Sequence, residues 1–168
     1  LFATSCDDDK VEPEPEDENE LITTVRYTLT PTTGSGPAVT VESKDLDGDG
    51  GTAPTIGTLR LAPNTTYTGA VRFLDESKNP ADDITAEVNA ESDEHLVVYT
   101  ATPTDLLTVT RTDRDRNNLE IGLATRVQTG AAATGSLRIQ LRHQTGTKDG
   151  TATPGSNDVD VTFPVVLQ

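Results

Sequence analysis

A chain of 168 residues has room for one domain and a tail. At 33% hydrophobic and 4% aromatic, with no tryptophan or methionine, any core must be built from Val, Leu, Ile and Thr. The net charge of −15 excludes a nucleic-acid binder, which needs Lys and Arg clusters over phosphates, and gives no attraction to anionic lipid.

The first residues, LFATSC, place small side chains ahead of the chain's single cysteine. They look like the end of a lipoprotein signal, with residues 1–5 a signal-peptide remnant and Cys6 the lipidation site. Acyl chains on Cys6 hold a protein to a membrane by burying methylenes, each contributing about 0.8 kcal/mol. The alternative is a chance cysteine. Residues 7–20 carry nine acids and one lysine, with proline set between like charges. Proline favours an extended backbone and repulsion stretches it further, so residues 6–20 read as a tether. The order Cys-Asp-Asp-Asp resembles the signal that exports lipoproteins of Bacteroidota to the cell surface.

From residue 21 to 168 the hydrophobic pattern has a period of two. It marks nine strands: 21–30, 38–44, 58–61, 65–74, 95–101, 106–112, 119–127, 136–143 and 158–168. The expected inner residues include Leu21, Tyr27, Leu29, Phe73, Val97, Leu137, Ile139, Leu141 and Phe163. Alternation of buried and wet positions is an antiparallel habit. The fold class is therefore all-β, a single antiparallel β-sandwich, immunoglobulin-like in the broad sense. Pro164 lacks an N–H, so the last strand is expected at an edge or bulged there. Segment 79–94 breaks the pattern. Asp82 and Asp83 are candidate caps, and Ile84 and Val88 are spaced four apart, which predicts a short helix near 82–90.

Three constellations carry candidate chemistry. Asp45, Asp47 and Asp49, followed by Gly50, set oxygens at alternate positions ahead of a sharp turn, as in a Ca²⁺ loop. Ile56 stands where an EF-hand has its bidentate Glu, and the flanks read as strands, so the alternatives are a weaker Ca²⁺ loop or a polar turn. Asp113, Asp115 and Asn117 repeat the spacing, with Arg114 and Arg116 interleaved to neutralise them. His95 shares the parity of Val97 and Tyr99, and His143 that of Leu137, Ile139 and Leu141. Both histidines thus sit at strand ends on the inner face. They are a transition-metal candidate, with Asp93 and Glu94 supplying oxygens; the alternative is two unrelated, hydrogen-bonded histidines.

No G-x-S-x-G elbow, phosphate loop or H-E-x-x-H occurs, so the chain is read as non-enzymatic. The segments KDLDGDGG, NTTYTGAVRFLDES, SDEHLVVY, the Asp113–Asn117 loop, LRH and NDVDVTFPV together resemble a family of small all-β surface lipoproteins of Bacteroidota. The resemblance implies an outer-membrane, lipid-anchored protein exposed on the cell surface, working beside a TonB-dependent receptor. The leading expectation is a binding module for a metal ion or small ligand. The alternatives are a structural subunit of a surface filament or adhesin, self-assembling through its β-domain, and a carbohydrate-processing accessory, the last opposed by the shortage of aromatics.

Overall fold

The computed structural model describes residues 21–32, 36–48 and 50–168; the lipidation candidate Cys6, the acidic stretch to residue 20 and Asp49 lie outside the described residues. In chain order the elements are β1 (Thr24–Pro31), β2 (Val39–Lys44), β3 (Thr55–Ile56), β4 (Leu59–Leu61) and β5 (Thr66–Leu74). Next come α1 (Ile84–Ala90), β6 (His95–Thr102), β7 (Leu107–Arg111), β8 (Ala124–Thr129), β9 (Ala133–His143) and β10 (Ser156–Leu167). The strands form two sheets, in the orders β3-β2-β1-β5-β8-β7 and β4-β10-β9-β6. The all-β sandwich expected from the alternation is the fold observed.

The alternating side chains meet between the sheets. Tyr27, Leu29, Val71, Phe73 and Val127 of the larger sheet share one core with Leu59, Val97, Leu137, Ile139, Leu141 and Phe163 of the smaller. Each such side chain contributes roughly 1.5–3 kcal/mol on burial. The Tyr27 and Tyr99 rings approach across the layers at 5.5 Å between centroids. With so few aromatics, this pair and the two buried phenylalanines set the width of the core. Tyr27 also bonds through its hydroxyl to Thr125 Oγ1 at 2.7 Å. The two atoms meet over Gly69, where a Cβ would collide with both.

The structure adds the two-residue strand β3 to the nine expected and corrects the sequence reading at three further points. β4 runs parallel to β10, pairing Leu59–Leu61 with Val165–Leu167, whereas the other pairings are antiparallel. Parity alone carries no strand direction. The expected strand 119–127 begins only at Ala124, because the Asp113 carboxylate takes the N–H groups of Gly122 (2.8 Å) and Ala124 (3.1 Å) that a ladder would use. Residues 121–123 instead cross between the layers, with Ile121 O accepting from Val97 N and Leu123 O from Val71 N. Leu21, expected inside, is 54% exposed because it precedes β1. Pro164 pairs with Ser136 on one side and, one residue before β4 begins, has no described partner on the other, which is the edge position expected of it; the bulge falls at 157–159.

The helix forms where expected. Asp83 caps it, its side chain accepting from Thr85 N, and Ile84 and Val88 are its buried residues. Thr85 fastens it to β5 by accepting from Phe73 N at 2.9 Å and donating to Phe73 O at 3.2 Å. Its C-terminal turn, with Glu94 N bonded to Glu91 O at 2.8 Å, delivers the chain to β6 at His95. No helix among the described residues is long and apolar enough to cross a membrane.

Candidate metal centre

The two histidines meet. His95 opens β6 and His143 closes β9, and the register pairs them directly across the strands. Their rings stack at 4.6 Å between centroids, 16° from parallel. The third member is Asp158, which the sequence reading did not select. Its carboxylate lies 3.8 Å from His95 Nε2 and 4.0 Å from His143 Nδ1. Among the described residues this is the group whose ligating atoms converge, all within 4.8 Å of one another.

Asp158 gets there through a β-bulge. Asn157 pairs with Arg142 and Val159 with Leu141, so Asp158 is an extra residue without a partner opposite. Strict alternation from Val159 would send it outward; the bulge re-aims it. The neighbouring side chains build that irregularity. Arg142 donates to Asn157 Oδ1 (2.8 Å) and to the carbonyls of Pro154 (2.9 Å) and Gly155 (2.5 Å). Buried Gln144 donates to Thr151 O (2.8 Å) and Pro154 O (3.1 Å). Gly155 takes a φ of 78°, and a Cβ there would strike the carbonyl of His143. The segment 151–157 is therefore held tightly against the end of β9.

The hydrogen bonds around the imidazoles suit metal ligands. His95 Nδ1 sits 3.1 Å from Glu91 O; a carbonyl only accepts, so the proton is on Nδ1 and the Nε2 lone pair faces Asp158. His143 Nε2 lies 2.8 Å from Thr145 Oγ1 and 3.8 Å from Glu94 Oε2. With Thr145 accepting from Nε2–H, Nδ1 is left free toward Asp158. Such outer partners fix tautomer and orientation at metal sites. The carboxylate itself is short of partners. The Asp158 side chain is 9% exposed and its Oδ1 has no hydrogen bond. Burial pushes its carboxyl above the usual carboxylate range, while the imidazoles of His143 and His95 and the Arg142 guanidinium pull the other way. Burial also holds the His95 imidazole below its ordinary value, against the Glu91 carbonyl.

Two imidazoles and one carboxylate fit zinc and its neighbours in the first transition row. Tetrahedral zinc holds its donors about 3.4 Å apart, so the 3.8 and 4.0 Å spacings to Asp158 must close by roughly half an ångström, and a group spread over as much as 4.8 Å by up to about 1.4 Å at its widest. Near-parallel rings cannot both point in-plane at one ion. One must turn, and His143, with its side chain 20% exposed against 8% for His95, is the freer.

Of the other expected site residues that are described, Glu94 lies at the histidines and the rest are held elsewhere. Asp93 pairs with Arg116 rather than facing the histidines, while Glu94 lies beside His143. Asp115 Oδ1 accepts from Asn117 N (2.8 Å) and Leu119 N (2.9 Å), and its Oδ2 is 2.7 Å from Lys148 Nζ. Asp113 ties down Gly122 and Ala124, and Asn117 contributes its backbone N–H. In the other loop Asp45 Oδ1 accepts from Gly48 N at 3.0 Å and Asp47 Oδ2 from Thr52 N at 2.8 Å. These are the bonds of polar turns. The chain matches no family model, and neither a curated protein nor a solved structure is significantly similar to it.

Proposed function

We propose that this chain is a non-enzymatic binding module for a divalent transition-metal ion of the zinc class, held by His95 Nε2, His143 Nδ1 and the Asp158 carboxylate. One observation carries the reading. Three ligating groups converge at a bulge where a buried carboxylate oxygen has no protein partner. Arg142 Nε and Gln144 Oε1 are also unbonded, but Asp158 Oδ1 is the orphan that lies beside imidazole lone pairs, which matches a cation-shaped gap. The setting we propose is a cell surface, with Cys6 as the anchor and an outer-membrane receptor as neighbour, on the strength of the LFATSC and acidic-tether sequence.

The test is zinc titration of untagged, EDTA-stripped protein, read by calorimetry and by thermal melting. An ion that binds the folded state alone stabilises it by about 2.7 kcal/mol at a hundredfold excess over Kd. His143→Ala and Asp158→Asn should each abolish that gain. Equal stabilisation of wild type and both variants, or no binding at micromolar zinc, sinks the proposal.

A further inference from the structure

We infer that the cleft between the uncovered edge of β10 and the β3 corner docks an extended basic peptide of a partner protein, which adds as a strand beside Asp158–Thr162. The main chain supplies the first argument. β4 covers β10 only at Val165–Leu167, and no other described strand pairs with β10 on that side. From Asp158 to Pro164 the edge is therefore open among the described residues, and an open edge is a template for another strand. Upstream of β4 the chain turns away from β10. Gly57 N bonds Glu42 O at 2.8 Å, and β3 joins the opposite sheet. That divergence leaves a cleft of about 340 Å³, lined on its far wall by Ile22, Pro54 and Ile56. Ile56 is 42% exposed, an apolar side chain on a two-residue strand with nothing packed over it.

Charge selects the occupant. Asp45, Asp158 and Asp160 line the cleft, and no lysine or arginine does. Arg138 neutralises Asp160 and the Asp158 carboxylate is turned to the histidines with its free oxygen closed to solvent, so Asp45 is the carboxylate the cleft offers. A second copy of this chain is a poor fit, since it carries −15 overall and its residues 7–20 are among its most acidic. A foreign segment alternating apolar and basic residues fits both demands. Its apolar side chains face Ile22 and Ile56, and its lysines or arginines are drawn by Asp45 and by the chain's net charge of −15.

The experiment is fluorescence anisotropy with the full chain in EDTA, using labelled eight-residue peptides that alternate Lys with Val or Glu with Val. EDTA removes zinc from the measurement, so failure here and failure of the metal reading are separate results. The Lys–Val peptide should bind at micromolar concentration, with the Glu–Val peptide and the Ile56→Lys variant each weaker by about tenfold or more. Amide NMR shifts should be largest at Asp158–Thr162. Ile56 is exposed, so its substitution spares the fold; Asp45→Asn gives a second, milder loss. Equal affinity for both peptides, no binding of either, shifts centred elsewhere, or self-association that occupies the β10 edge would overturn the inference.

Discussion

Asp115 and Asp158 are both buried aspartates, and they behave in opposite ways. Around Asp115, burial favours the neutral acid, but Lys148 Nζ and the N–H groups of Leu119 and Asn117 outweigh it, and the carboxyl stays below its ordinary value. Around Asp158, burial wins and the carboxyl rises, with one oxygen left unbonded. The difference lies in hydrogen-bond satisfaction rather than depth. A satisfied buried charge fastens two loops together. An unsatisfied one stores a cost that a bound cation can remove.

The sharpest way to break the comparison is Lys148→Met. It strands the Asp115 carboxylate in a site where both side chains are about fully buried, at 2% and 0% exposure. Removing one partner of such a pair costs roughly 3–5 kcal/mol, which for a domain of this size is a fall of roughly 6–20 °C in Tm. Asp158→Asn should do the opposite in metal-free protein. It deletes an under-bonded charge, so stability should hold or rise by about 1 kcal/mol. Urea melts of both variants check the pair, and comparable losses in the two would remove the distinction.

Acid titration sharpens it. Asp115 has a depressed folded value, so its stabilisation is present above the ordinary carboxylate value of 3.8 and is lost as pH falls below it. Asp158 has a raised folded value, so the folded state binds its proton more tightly and gains stability as pH falls toward that ordinary value. In melts from neutral pH downward, the advantage of Asp158→Asn over wild type should shrink before pH 4. The acid loss below pH 4 should be smaller in Asp115→Asn. Parallel curves for wild type and both variants would contradict these assignments.

The histidine half of the site was legible in the sequence, whereas the contrast between the two aspartates was not, for a local reason. Parity alone put His95 and His143 on the inner face, and the paired register of β6 and β9 bears that out. The same rule sent Asp158 outward, because period two assumes an unbroken ladder and the bulge at 157–159 breaks it. Asp113 and Asp115 were visible as oxygens at alternate positions. Their partners were not, since Lys148 is thirty-three residues away from Asp115. Nor could adjacent Asp93 and Glu94 be told apart: one meets Arg116 from a distant turn, the other His143. Strand existence followed from side-chain alternation. Strand direction, as in the parallel β4, depends on the path between strands, which that alternation does not encode.

The smallest expected effect concerns the Asp45–Asp47 loop, where the same question of satisfaction applies at the surface. Asp45 and Asp47 already accept the N–H groups of Gly48 and Thr52, and the bond from Thr52 is the main reason the Asp47 carboxyl sits below its usual value. Calcium takes six to eight oxygens, and these two carboxylates, each with one oxygen already accepting a turn N–H, supply only part of that shell. Gly48 and Gly50 hold positive φ angles of 70° and 94°, which shape the turn by backbone geometry. Millimolar Ca²⁺ should therefore leave Tm unchanged, and Asp47→Asn should lower it only slightly, with or without the ion. A Ca²⁺-dependent rise in Tm that Asp47→Asn abolishes would show instead that the turn is a cation site, and would place it with Asp158 rather than with Asp115.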